Sequence, residues 1–212
     1  MKQLRLESLA DGIFAIVITL LVFHIRLPEL PVNAGDGAIW NAIFDMRTLF
    51  ASYVLSFAVL FTYWRAHHFI ASVYAKGIDQ MFVNINAVFF VLVALVPFSA
   101  DMLGRYSKSP LAIMIFSFNI VCIGAVLYWM RTYAKRAQTI ENQDISPSEE
   151  RHAMMRIMVP MFTALFAVII ATYNTDVALV VLTAGILFNL SRRSTHVTTR
   201  MLGIVFVDFK EN

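Results

Sequence analysis

Long, nearly uncharged apolar runs recur along this chain, and they constrain its fold more than any other feature. Six runs occur, at about residues 8–25, 49–64, 82–98, 111–129, 157–173 and 177–190. Most approach the roughly 20 residues that a helix needs to cross the hydrocarbon core of a bilayer. Because lipid offers no hydrogen bonds to the backbone, such segments are stable there as helices. We therefore predict an all-α, polytopic membrane bundle with six transmembrane helices.

The composition supports a membrane location for most of the chain. Among its 212 residues, 59% are hydrophobic and 15% are charged, and the mean hydropathy is +0.69. Soluble domains carry about 25% charged residues. The spans and their connections leave no room for a further domain of ordinary size. We expect a transmembrane domain over residues 1–193, followed by a short cytoplasmic tail at 194–212.

The positions of the Lys and Arg residues indicate the orientation, since basic residues are retained on the cytoplasmic side of a membrane. With the amino terminus inside, 13 of the 17 would lie in cytoplasmic segments and four outside. Both termini are therefore predicted to be cytoplasmic. Topology also accounts for the formal charge of +3, so we expect no nucleic acid partner.

Sequence motifs of the common enzyme classes are missing. There is no GxGxxG, P-loop, HExxH or GxSxG pattern. The one cysteine, Cys122, excludes an intrachain disulfide and suggests no metal site. The K⁺-channel filter sequence TVGYG and an arginine-repeat voltage sensor are also absent. We expect neither enzyme activity nor a cofactor.

A polar cluster opens the first span and carries a family resemblance. The cluster reads RLESLADG at residues 5–12 and continues as FAIVITLLV at 14–22. It resembles the first helix of the transmembrane protein 175 family of lysosomal and prokaryotic potassium channels. In that family an arginine, three variable residues and Phe-Ser-Asp open the helix. Arg5 and Asp11 match this pattern, whereas Leu9 and Ala10 depart from Phe and Ser.

Further matches follow in the second and third spans. The sequence YWRAHH at residues 63–68 resembles the family's aromatic-Trp pair followed by paired histidines, and Asn86, Phe90 and Pro97-Phe98 resemble its third helix. The resemblance covers about the first hundred residues. It implies a multi-pass protein of the prokaryotic inner membrane. Its six-helix subunits would form a homotetramer whose first helices line a central cation pore.

One stripe of the first span is almost wholly apolar. At about 100° per residue, Gly12, Ile16, Thr19, Leu20 and Phe23 fall within an arc of about 100°. From the residues alone, this stripe is compatible with a lipid face, a packing seam or a hydrophobic constriction. The resemblance implies the constriction, because the family's pore is narrowed by large apolar residues on this helix, with Ile16 at the matching position. Such a ring closes a pore by dewetting.

Asp11 lies about 140° from Ile16 on the same helical wheel, so we expect it to point into the subunit. A carboxylate at membrane depth needs a partner. Arg5 is about 120° round the helix from Asp11, which leaves His67 and His68 as the candidates to join them. The alternative is a plain interfacial boundary with a snorkelling Arg5. The network that the resemblance implies comprises Arg5, Asp11, Trp64, His67, His68 and Asn86.

A potassium-selective channel is therefore the function that the resemblance implies, with its pore and constriction at Ile16, Thr19, Leu20 and Phe23. Its partners would be transient K⁺ ions, further copies of the chain and the lipid bilayer. A proton-coupled carrier would place carboxylates near the bilayer midplane, where these spans have none. A secondary transporter, a proton-permeable cation channel and a non-conducting scaffold stay open as alternatives.

Overall fold

The computed structural model describes residues 3–74, 77–137 and 147–190, and within these ranges it contains helices and no strand. This confirms the predicted all-α class. A 3₁₀ turn, Leu21–His24, extends the first helix, and a π-helical stretch, Ile70–Tyr74, extends the third. The α-helices are α1 (Gln3–Leu20), α2 (Asp36–Asp45), α3 (Arg47–Phe69), α4 (Gln80–Ala94), α5 (Val96–Arg105), α6 (Pro110–Arg136), α7 (Pro147–Ala171) and α8 (Thr175–Leu190).

The helices reproduce the predicted order of membrane spans. Five stretches of the described residues are long and apolar enough to cross a bilayer: Gln3–His24, Arg47–Ser72, Gln80–Arg105, Pro110–Arg136 and Glu149–Ala171. The sixth predicted span, α8, is apolar, but its 16 residues make it shorter than these five stretches. The chain is therefore a multi-pass membrane protein. The cytoplasmic orientation of its termini stays a prediction, and the tail at 194–212 lies outside the described residues.

The first helix begins earlier than the apolar run at 8–25 indicated. Helix α1 already includes Gln3, the first described residue, and polar side chains of its first two turns have partners at the end of α3. Gln3 donates to the Ala71 carbonyl oxygen at 2.7 Å, and Glu7 accepts from the Ser72 hydroxyl at 3.3 Å. These polar residues therefore belong to the membrane helix rather than to a loop before it.

Hydropathy did not predict helix α2, which lies in the connection between the first two spans. Its sequence, DGAIWNAIFD, is too short for a span. Ile39, Trp40, Ile43 and Phe44 are exposed on it, at the one- and four-residue spacing of a helical face. That spacing was the signal by which the helix could have been found.

The third span is interrupted rather than continuous. Helix α4 ends at Ala94, and α5 begins at Val96. Pro97 stands in the first turn of α5 and has no N–H to donate to a residue one turn earlier. The predicted run at 82–98 therefore contains the end of one helix and the start of another.

Close helix contacts around the core depend on small residues. A Cβ added to Gly124 of α6 would lie 2.3 Å from Met161 Cγ of α7, and one added to Gly185 of α8 would lie 2.4 Å from Thr163 Cγ2 of α7. Small residues allow helices in membranes to approach closely, since packing rather than water exclusion drives their association. These two glycines thereby position α7 between α6 and α8.

Asp79 connects the start of α4 to the end of α6. Its Oδ1 caps α4 by accepting the Phe82 backbone N–H at 2.8 Å, and its Oδ2 accepts the Tyr133 hydroxyl. Partial burial would raise the pKa of Asp79, but the hydrogen bonds from Tyr133 and the backbone lower it more, so the pKa lies below its ordinary value. The ionised carboxylate is the form that suits both donors.

Candidate pore helix and its support network

Helix α1 has one buried face and one exposed face. The buried face comprises Leu6, Ala10, Phe14, Val17 and Leu21, spaced by three or four residues. The opposite face carries the predicted stripe. Ile16 is 61%, Leu20 42% and Phe23 63% exposed, and a Cβ added to Gly12 would meet no atom within 4 Å. The stripe is therefore left largely uncovered by the described part of the chain.

Among the five long spans, α1 is the least enclosed by its own chain. Only 28% of its apolar stretch is buried, against 50% for the stretches of α3 and α6. A helix that is apolar on an exposed face must lie against lipid, against another protein surface or along a dry path. The structure therefore leaves α1 available for contact outside its own subunit.

Thr19 is the one hydroxyl in the stripe. Its Oγ1 donates to the Ile16 carbonyl oxygen at 2.8 Å, so its proton is bonded within the helix. The lone pairs of Oγ1 remain available on the exposed face. Thr19 can thus accept a hydrogen bond or contact a cation, but its own donor is already occupied.

Trp64 is the hydrogen-bond partner of Asp11. Its indole Nε1 donates to Asp11 Oδ1 at 2.8 Å and thereby joins α3 to α1. The expectation that His67 or His68 would contact this carboxylate was wrong. Asp11 is exposed in the single chain, but this bond directs its carboxylate toward α3 of the same subunit, and the expectation that it points away from the pore stays a prediction. The helical wheel predicts the direction in which Asp11 points from α1. It does not predict that the long indole of Trp64, rather than an imidazole, reaches the carboxylate.

Arg5 does not take part in that contact. It is exposed and has no hydrogen bond or ion pair with any described residue. Six residues separate it from Asp11, which is roughly 9 Å along a helix. The predicted bridge from Arg5 to Asp11 through a third group is therefore not present among the residues that the structure describes.

His67 supports the buried face of α1 from behind. Its Nε2 lies 2.6 Å from Asn86 Oδ1, and the Asn86 amide donates to the Phe82 carbonyl oxygen at 2.8 Å. Since that amide oxygen accepts, the pairing requires the proton on His67 Nε2. The ring stacks on Phe89 at 4.9 Å, and Phe14 of α1 contacts Phe89 at 5.9 Å. Phe14 thus anchors α1 on a buried aromatic platform.

His68 has a different place from His67, although the two are adjacent. It is exposed, and its ring stacks on Trp64 at 5.9 Å with an interplanar angle of 19°. Sequence reasoning missed Gln3, Glu7 and Ser72, which connect α1 to the end of α3. The four-residue spacing of Gln3 and Glu7, which are bonded at 3.2 Å, was the available signal.

This site consists of an exposed apolar surface and the side chains that hold its helix in place; its described residues do not form a metal-binding cluster. Within the described ranges, no group of three or more His, Cys, Asp or Glu side chains could hold a metal ion. The exposed stripe offers apolar side chains and one hydroxyl oxygen. The carboxylate beside it is engaged by an indole from α3.

The fold and the site define a class: a multi-pass, all-helical membrane protein with an exposed apolar face on its first helix. Comparison with known proteins then indicates a family. The family described as "Endosomal/lysosomal potassium channel TMEM175" matches residues 5–97. A crystal structure of a lysosomal potassium-selective channel TMEM175 homolog from Chamaesiphon minutus shares the fold. Its TM-score is 0.73 at 22% sequence identity, over 91% of this chain and 97% of that one.

Curated relatives with similar sequences are also named as channels. A potassium channel of Streptomyces collinus is 33% identical over 135 residues, which cover 60% of this chain and 64% of the relative. A potassium channel of Chamaesiphon minutus is 33% identical over 108 residues, covering 51% and 52%. The endosomal/lysosomal proton channel TMEM175 of Rattus norvegicus is 24% identical over 148 residues, covering 69% and 29%. The match thus spans less than two-thirds of these relatives' lengths.

These comparisons support the resemblance seen in the sequence: residues 5–97 match the TMEM175 family, and the solved homolog shares the fold of the chain. The family is described as one of channels, in agreement with the expectation that the chain is not an enzyme. The matched range, residues 5–97, contains the helix with the exposed stripe and the helices that support it.

The bond between Trp64 and Asp11 can be tested by substituting Phe for Trp64. The change keeps an aromatic ring but removes the N–H donor. We expect the free energy of unfolding to fall by about 1 kcal/mol, measured by thermal unfolding in detergent. Trp129→Phe is the matched control, since Trp129 is exposed and has no hydrogen bond with a described residue. An equal loss in both variants would show that this bond contributes nothing.

The two histidines provide a second test. Phe at position 67 keeps a ring against Phe89 but leaves the buried Asn86 oxygen unpaired, so we expect a loss of about 1–3 kcal/mol in unfolding free energy. Phe at the exposed position 68 should stay within about 0.5 kcal/mol of the parent. Chemical denaturation followed by circular dichroism would measure both. Similar losses at His67 and His68 would contradict the assigned pairing.

Proposed function

We propose that this chain is a subunit of a potassium-selective cation channel in the prokaryotic inner membrane, with both termini cytoplasmic. Four copies would surround a central axis, with α1 of each copy lining the pore. Ile16, Leu20 and Phe23 would form a hydrophobic constriction, with Thr19 beside it. The observation that carries the proposal is the exposed apolar stripe on α1, the long span that its own chain encloses least.

Symmetry explains how one stripe makes a closed neck. In a closed ring the same surface of every subunit meets the axis, so one exposed isoleucine per chain becomes a ring of isoleucines. Water and its ions leave a narrow apolar neck, and the path closes without any moving plug. The number four is what the family resemblance implies. A monomer in lipid nanodiscs would contradict this proposal.

The contacts behind α1 support the proposed geometry. An apolar neck depends on side-chain positions, and a small rotation of the helix would replace one lining residue by another. Phe14 is held by the aromatic platform on one side, and Asp11 is held by Trp64 on the flank. These two contacts lie on different sides of α1 and therefore oppose its rotation.

Potassium is favoured over a coupled substrate because the proposed pore surface has no carboxylate. Carriers use buried ionisable groups to couple fluxes. Permeation by protons is a second candidate, because the rat relative is named a proton channel. Reconstituted protein separates the two: an imposed K⁺ gradient drives K⁺ flux in a potassium channel, and a pH-sensitive dye inside the same vesicles reports proton flux.

The constriction is tested by Ile16→Asn. A ring of amides should hydrate the neck, and lowering the barrier by about 1.4 kcal/mol raises the flux about tenfold. K⁺ flux into liposomes measures the change. Ile169→Asn on α7 is the matched control, since Ile169 is also 61% exposed. Unchanged flux for Ile16→Asn, or an equal rise for Ile169→Asn, would return the stripe to a lipid or packing role.

The hydroxyl is tested by Thr19→Val, which removes the oxygen and keeps the shape. K⁺ sheds water more readily than Na⁺, and the Thr19 oxygens would replace part of its hydration shell. We expect K⁺ flux to persist with a lower K⁺/Na⁺ permeability ratio, measured from reversal potentials in planar bilayers. Thr172→Val is the control, because its exposed hydroxyl also donates to a carbonyl three residues earlier. An unchanged ratio for Thr19→Val would assign Thr19 to packing alone.

A further inference from the structure

Helix α2, in the connection between the first two spans, is almost uncovered by the described part of its own subunit. Of its ten residues, Ala42 alone is buried, whereas Trp40 is 67% and Phe44 59% exposed. A helix of ten residues is marginal in water, because few backbone hydrogen bonds offset the cost of forming its first turn. Its N-cap residue, Gly35, has no side chain with which to cap it. Helix α2 therefore needs a further surface to stabilise it.

The side chains of α2 are sorted by polarity around the helix. At about 100° per residue, an arc of about 140° contains its large apolar residues, Ile39, Trp40, Ile43 and Phe44. Asn41 and Asp45 lie on the opposite side. Asp36 falls within the arc, but it is the first residue of the helix, where a carboxylate suits the N-terminal end of the dipole. This pattern is typical of a helix that lies in the plane of a membrane surface.

The covalent connection keeps α2 at the level of the membrane surface. Met46 alone separates Asp45, the last residue of α2, from Arg47, where the second span begins. The first span ends at His24, which lines a small cavity together with Leu49 of the second span, so both spans meet the surface on the same side. Ten helical residues extend only about 15 Å. The whole of α2 is therefore within reach of the lipid headgroups.

The undescribed segments border the other end of the bundle: residues 1–2, 75–76, 138–146 and 191–212. At that end, Gln3 bonds to Ala71 at the end of α3, and Asp79 bonds to Tyr133 at the end of α6. Asn189 bonds to the first half of α7. Helix α2 adjoins the start of α3, and the two ends of α3 are roughly 35 Å apart. The residues that border those segments are thus remote from the apolar face of α2.

Arg47 adds a cation at the edge of this face. Its guanidinium lies 5.1 Å from the centre of the Phe44 ring and 4.0 Å from Asp45 Oδ1, and its side chain is 61% exposed. An arginine at the end of a span extends toward the headgroups, and aromatic side chains are enriched at the same level. The contact between Arg47 and Phe44 thus combines the two side-chain types that suit the boundary between headgroups and acyl chains.

We propose that α2 binds the bilayer surface as an interfacial helix. Its apolar face lies between the phospholipid headgroups and the acyl chains, and Asn41 and Asp45 face water. A neighbouring copy would have to bring apolar surface to the same level, whereas the course of the chain already places lipid there. The contact anchors the connection between α1 and α3. It is separate from the exposed stripe of α1 and does not depend on ion conduction.

The depth of α2 is measured on the full chain in phosphatidylcholine vesicles by spin-label accessibility. In a Cys122→Ser background, a nitroxide is attached through Ile43→Cys on the apolar face or through Asn41→Cys, about 160° round the helix. Oxygen concentrates in the bilayer, whereas a nickel chelate stays in water. We expect the ratio of oxygen accessibility to nickel accessibility to be several-fold higher at position 43 than at position 41.

Two results of that measurement would overturn the proposal. Equal accessibility of both positions to the nickel chelate would place α2 in water. Protection of position 43 from both reagents would show that protein, such as a second copy of the chain, covers the apolar face.

A matched pair of substitutions provides an independent test that keeps the native cysteine. Ile43→Asp adds a carboxylate to the apolar face, and Asn41→Asp adds the same charge to the polar face. In vesicles of phosphatidylcholine brominated on the acyl chains near the headgroups, the quenching of Trp40 is obtained by difference from Trp40→Phe in each background. It should fall several-fold in Ile43→Asp and persist in Asn41→Asp. Absence of Trp40 quenching in the parent, or an equal fall in both variants, would contradict the interfacial position.

Discussion

Polar groups inside this bundle must be satisfied by the bundle itself, and the rest of the structure depends on that constraint. Lipid accepts and donates no hydrogen bonds, so each polar side chain at membrane depth fixes a contact between helices. The Tyr63 hydroxyl donates to the Ile120 carbonyl oxygen at 2.9 Å, and Asn119 donates to the Leu92 carbonyl oxygen at 3.1 Å. Apolar surface fills the space between helices, whereas these few bonds determine which faces meet.

Helix α1 shows the division most clearly. Two of the contacts that hold it are the packing of Phe14 against α4 and the hydrogen bond from Trp64 of α3 to Asp11 on its flank. Neither contact uses the exposed stripe. The helix is thereby oriented by its own subunit while its apolar surface stays available. A side chain in the stripe can therefore be changed without removing the contacts that hold α1.

Hydropathy alone predicted the order of the apolar helices, five of which are long enough to cross a bilayer, because the cost of leaving polar residues in lipid exceeds most local preferences. It failed where polar side chains find partners, as at Gln3, and where an apolar run contains a proline, as at Pro97. The stripe on α1 was predictable because helical periodicity fixes which residues share a face. The partner of Asp11 was not, because periodicity gives direction but neither side-chain length nor the rotation of the neighbouring helix.

The segment YWRAHH explains why α3 is the central helix. Its side chains reach different neighbours: Tyr63 bonds to α6, Trp64 to α1 and His67 to α4. Consecutive residues on a helix point about 100° apart, so one and a half turns are enough to contact every side. A displacement of α3 would strain all of these contacts together, and α1 would be affected through Trp64. The position of α1 thus depends on residues that lie away from its apolar stripe.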